Sequence, residues 1–116
     1  MEPSQPAACA FEKLTQELLR FRDARDWEQF HNAKDLAIAL NIEAAELLEA
    51  FLWKEPEDAS REKIREELAD VFCYALLLAH KAGLNPEQII REKIQKNGTK
   101  YPVEKARGKA TKYNKL

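Results

Sequence analysis

Glycine is scarce in this chain, three in 116 residues, which argues against a turn-rich β architecture that needs left-handed backbone at its tight connections. The two cysteines, Cys9 in a polar leader and Cys73 in an apolar run, do not make a disulfide framework. No apolar stretch approaches the ~20 residues that span a bilayer. The opening "MEPSQPAACA" has neither the basic n-region nor the apolar h-region of a signal peptide, so a cytoplasmic protein with no membrane association is expected. An excess of one charge is missing too. The formal net charge of −1 makes no global case for nucleic-acid binding, although the tail "VEKARGKATKYNKL" is locally basic.

What is present favours helices. Leu, Ala, Glu and Lys dominate, with 45% hydrophobic and 34% charged residues, and the length suits one domain with a real core. The expected fold class is all-α, a four-helix bundle-like arrangement. Residues 1–10 read as a disordered leader, 11–103 as the domain and 104–116 as a basic tail. Phe11, Leu14, Leu18 and Phe21 recur at helical spacing and predict a first helix ending in "RDARDW". Asn32 is placed to cap a second helix running to about Lys54. Between Leu36 and Trp53 its only polar residues are Asn41, Glu43, Glu46 and Glu49, so burial on several sides is expected. Pro56 marks a boundary; a third helix restarts after Asp58 or Ser60 and stops at Ala82, before Gly83. Asn85 and Pro86 open a short fourth helix closing near Asn97 and Gly98.

Two acidic pairs interrupt this pattern. Glu43 and Glu46 are three apart, on a helical face otherwise carrying Leu36, Ala39, Leu40, Leu47 and Ala50. Glu67 and Asp70 repeat the spacing on the third helix, and Asp70 is set in the apolar run "LADVFCYALLLA". A short connection makes the two helices antiparallel neighbours, which brings "EAAE" and "ELAD" together. Four carboxylates in a packed interior need raised pKa values or cations. Metal is one answer, and an oxygen-only ligand set without histidine favours Mg2+ or Mn2+. Structural ion pairs are the other, with Lys63 or Arg65 bridging to Glu43 or Glu46. Glu49 and Glu66 read as surface or supporting acids.

With both motifs in order, followed by "KIQKNGTKYP", the chain resembles the all-α nucleotide pyrophosphohydrolases of the MazG type over about Phe11 to Tyr113. More narrowly, "RDWEQFHNAKDLAIALNIEAAELLEAFLW" is similar to the dCTP pyrophosphatase branch, including Trp27 and Trp53. That branch carries a histidine in its first helix where this chain has Leu18. The resemblance implies Mg2+-dependent hydrolysis of nucleoside triphosphates between the α and β phosphorus atoms, releasing monophosphate and pyrophosphate, with dCTP or a modified dCTP the expected substrate and nucleotide-pool cleansing the role. It implies Glu43, Glu46, Glu67 and Asp70 as metal ligands, with Glu43 and Glu46 the candidates for taking the proton from water.

Lys93 and Asn97 match the phosphate-side "K-x-x-K-N" of the family; Lys96, Lys100, Arg107, Lys109 and Lys112 are further electrostatic candidates. Trp27, Trp53, Tyr74 and His31 are the candidates for the base, aromatic faces being able to stack it. Family members are dimers or tetramers, so a homo-oligomer is expected, and the all-round apolarity of the second helix points the same way. Two rival readings remain: a non-catalytic helical oligomerisation module whose acids form ion pairs, and, ranked last, a nucleic-acid arm made of the basic tail.

Overall fold

Each expected helix forms, and its ends have local causes. The computed structural model describes residues 9–116, so most of the expected leader, residues 1–8, lies outside the described residues. Helix α1 spans Ala10–Ala24. Its end is a Schellman turn: the Trp27 N–H donates to Arg22 O and the Asp26 N–H to Asp23 O, each at 3.1 Å, with Asp26 left-handed at φ 53°. A 3₁₀ turn at Glu28–Phe30 leads to Asn32, whose side chain accepts from the Asp35 N–H and caps α2, Ala33–Glu49.

Helix α2 stops short of Lys54. Residues 50–54 wind into i→i+3 turns, from Ala50 N–H to Leu47 O at 3.1 Å and from Lys54 N–H to Phe51 O at 3.2 Å, and Trp53 takes φ 63°. Pro56 holds Glu55 extended at φ −68°, ψ 150°, which forbids resumption of the helix. Ser60 caps α3, Arg61–Lys81. Gly83, at φ 71°, completes a second Schellman turn in which the Leu84 N–H donates to Ala79 O at 2.9 Å. Among the described residues no strand occurs.

The chain divides into two compact units, one ending at Leu84 and one spanning Asn85–Leu116; the boundary expected at 103/104 falls within the second. In the first, α3 packs mainly on α2 and also on α1. Leu19, Leu36 and Leu77 form the core, joined by Leu18, Tyr74 and Leu78. Leu36, at 2% exposure, contributes about 2 kcal/mol through burial. It lies near the start of α2 and meets Leu77 near the end of α3, whereas Glu43 and Glu46, further along α2, approach Glu67 nearer the start of α3. The two helices are therefore antiparallel, as the short connection demands.

Burial of α2 on several sides is not achieved within one chain. Ile38, Ile42 and Leu48 are about half exposed or more, and so are Leu14 and Phe21 of the α1 stripe, which border an open apolar groove with Ala69, Phe72 and Leu76 of α3.

In the second unit, Asn85 accepts from the Gln88 N–H and Pro86 opens α4, Pro86–Lys100. The helix runs through Gly98 instead of closing there, at a cost of about 1 kcal/mol for an interior glycine. Pro102 ends it by restricting Tyr101. Residues of the basic tail have structure of their own: α5 spans Val103–Ala106, and Tyr113 stacks edge-on against Tyr101 at 6.1 Å with Lys100 Nζ 4.8 Å over its ring.

Candidate functional site

The antiparallel register brings the acidic pairs together. Glu43, Glu46 and Glu67 each offer one oxygen, and these three atoms lie within 4.8 Å of one another. All three residues are half-buried. Glu43 Oε2 and Glu67 Oε2 are buried without a hydrogen-bond partner, an arrangement costly enough to call for a ligand. Burial first, then the hydrogen bond to Glu46 that only a protonated carboxyl makes, then the charges of Glu46, Asp70 and Glu67 push the Glu43 carboxyl up to about 7.

Asp70 differs from the packed position expected for it. It is exposed, and it joins the acids through its charge on Glu43 and not through the close trio. Asp70 lines a cavity that residues of α1 and α3 border. The ion pairs of Lys63 and Arg65 lie within α3: Lys63 Nζ is 3.5 Å from Glu67 Oε1 and Arg65 Nη1 is 3.8 Å from Glu62 Oε2. Neither reaches α2, so the bridging pairs that would have compensated Glu43 and Glu46 are not formed. An all-carboxylate set with orphaned buried oxygens fits a hard divalent cation.

Beside the acids lies a cavity of about 350 Å³, lined by Leu18, Phe21, Arg22, Trp27, His31, Asp70, Cys73, Tyr74 and Leu77. Its size is that of a small-molecule site. Three of the four residues expected to meet a base therefore share one wall with Asp70. His31 is half-buried, its Nδ1 is buried without a partner, and burial, then the charges of Arg22 and Lys81, hold it below the usual imidazole range, neutral at pH 7. Burial, then the charges of Glu43 and Asp70, raise the Tyr74 phenol; burial and Asp70 raise the Cys73 thiol. Trp53 stands apart, fully exposed on the α2–α3 connection. Lys93 and Asn97 lie one turn apart on α4, both exposed; Glu49 and Glu66 are exposed as well.

Arg22 is a residue the apolar pattern of α1 passes over. It is 8% exposed; its Nε and Nη2 reach Asp23 Oδ1 at 2.8 Å, and Nη2 stands 3.7 Å from Glu28 Oε2. The signal was available: Arg22 is four residues after Leu18, on the face of Phe11, Leu14 and Leu18, where a charge is out of place.

The model of the MazG-like family matches residues 38–116, which include all four acids and both α4 donors. The chain belongs to the MazG-like family. Curated relatives include dCTP pyrophosphatase 1 of Bos taurus, 38% identical over 104 residues that cover 83% of this chain and 62% of that protein. The Homo sapiens counterpart is 36% identical over 104 residues, covering 83% and 61%. This MazG-like chain thus spans about three fifths of the length of the curated relatives it matches. A crystal structure of a pyrophosphatase from Archaeoglobus fulgidus aligns with a TM-score of 0.77 at 36% identity, covering 86% of this chain and 99% of that one. Trp27 and His31 precede the segment matched by the family model.

Proposed function

We propose that this protein is a divalent-metal-dependent pyrophosphohydrolase of deoxynucleoside triphosphates, with dCTP or a modified dCTP preferred, Mg2+ the working ion and Mn2+ a substitute. The observation that carries the reading is the trio Glu43, Glu46 and Glu67, with two buried oxygens lacking partners, beside a cavity of about 350 Å³. The names of the curated relatives agree with it. Glu43, Glu46, Glu67 and Asp70 would hold the cation, which supplies neutralisation of the polyphosphate charge and Lewis acidity toward the reacting oxygens.

The chain's own groups do the rest. Glu43 or Glu46 accepts the proton of the attacking water as its oxygen bonds to phosphorus. The α–β bridging P–O bond breaks, and monophosphate and pyrophosphate leave. Trp27, Tyr74 and His31 take the base from the cavity wall, and Trp53 is the fourth base contact in this reading. The phosphate-side donors are Lys93 and Asn97, an ammonium and an amide suited to phosphate oxygens. A homo-oligomer, dimer or tetramer, covers the exposed apolar faces of α1 and α2, and nucleotide-pool cleansing in the cytoplasm is the role.

Incubation with Mg2+ and each deoxynucleoside triphosphate, followed by product separation, tests the reading. It predicts monophosphate plus pyrophosphate; diphosphate plus orthophosphate contradicts it. Asp70→Asn is expected to lower turnover about a hundredfold or more with the helical content unchanged, the scale of losing a few kcal/mol of charge stabilisation.

A further inference from the structure

The cavity beside the acids holds one cation of its own. Arg22 reaches it from α1, buried to 8% exposure, on a wall otherwise formed by Leu18, Phe21, Trp27 and Leu77. Its fork is half used. Nε and Nη2 are taken by Asp23 Oδ1, and Nη2 also faces Glu28; among the described residues Nη1 has no hydrogen-bond partner. His31 and Asp70 line the same cavity, whose other walls are largely apolar and aromatic. Such a cavity recognises a flat ring with polar edges: the rings of Trp27 and Tyr74 supply faces, and the polar groups read the edge.

A guanidinium donates and never accepts. The two carboxylates that hold Arg22 also fix its direction, so its free nitrogen is a preset donor and not a searching one. The complement of a fixed donor is an exocyclic carbonyl oxygen. Cytosine and guanine each carry one, thymine and uracil two; adenine carries none.

We infer that Arg22 is a specificity-determining residue of this cavity, donating from Nη1 to a base carbonyl, and that it restricts the substrate to nucleotides with an oxo-bearing base. The inference deepens the proposed function and rests on its assignment of the cavity to the base. It adds a substrate class, and a residue for which the aromatic and acidic motifs give no hint.

The test is equilibrium binding of dCMP, dTMP, dGMP and dAMP, which needs no hydrolysis, with the wild-type protein and Arg22→Met. The wild type binds the three oxo nucleotides roughly tenfold or more tighter than dAMP, the scale of one good side-chain-to-base contact. Arg22→Met removes that preference and leaves dAMP binding within about twofold. A merely structural role, clamping Asp23 and Glu28 to α1, would instead weaken all four ligands equally, and that outcome overturns the inference. Unchanged ratios in the variant overturn it as well, as does a wild-type protein that binds none of the four. Should Arg22→Met fail to fold by circular dichroism, Arg22→Lys keeps most of the length and a point donor in place of the fork, and is predicted to show the same loss of preference in smaller degree; unchanged ratios there count against the inference. Triphosphate hydrolysis is followed in parallel. A wild type that discriminates by base without cleaving any triphosphate refutes the proposed activity and leaves Arg22's role standing.

Discussion

Glu43 is where burial and like charge collide. Its carboxyl is raised from 4.5 to about 7, so the folded state holds that proton more tightly than the unfolded chain does. The sign follows: the contribution to stability is fully present below about pH 4.5, declines between 4.5 and 7, and is a full penalty above 7. A cation that binds the deprotonated cluster reverses the penalty. Melting temperatures in EDTA, compared for the wild type and Glu43→Gln, isolate this group from His31, whose lowered value acts in the opposite direction. The difference between the two proteins is predicted to grow in the variant's favour from pH 5 to pH 8, by about 5 °C on the scale of a small domain. Adding Mg2+ at pH 8 is predicted to raise the wild-type midpoint and leave the variant's nearly unmoved. A pH-independent difference would mean that Glu43 is not the strained acid.

At the scale of elements, the connection between α2 and α3 concentrates what is unusual. Trp53 is fully exposed and left-handed at φ 63°, so it buries nothing in return for its strain. Trp53→Gly is expected to leave the melting midpoint unchanged or raise it, the glycine being free of strain there, while weakening nucleotide turnover severalfold. A variant that melts earlier with full activity would assign Trp53 to the fold. Helix starts were legible because Asn32, Ser60 and Asn85 act locally, each accepting from an amide three residues on. The ends were less so. Gly83 stops α3 where Gly98 does not stop α4, since an interior glycine is overruled when the following turn still closes, here with the Tyr101 N–H on Asn97 O at 2.8 Å. The early end of α2, where residues 50–54 tighten into i→i+3 turns before Pro56, is not registered by periodicity. Of the site, the acidic pairs were readable from spacing alone, because a period of three to four puts both members on one face. Asp70's exposure was not, for it depends on where the neighbouring helices pack on α3, whereas Arg22's burial was signalled by its place on the apolar face of α1.

For the molecule as a whole, apolar surface outruns what one chain can cover. Ile38, Ile42, Leu48 and Phe72 are 48%, 51%, 60% and 57% exposed, and the α1–α3 groove adds Leu14 and Phe21. Faces of this extent are characteristic of subunit contacts. Sedimentation velocity at micromolar concentration is predicted to give a dimer or larger, and Leu48→Glu to shift it toward monomer; a wild-type monomer would contradict the assembly.

Every catalytic role proposed above depends on a cation site built from the carboxylates of α2 and α3. Titration of Mn2+ followed by electron paramagnetic resonance measures it without substrate. Saturable loss of the free-ion signal is expected in the wild type and little or none in Glu67→Gln. Equal binding by both proteins would contradict it.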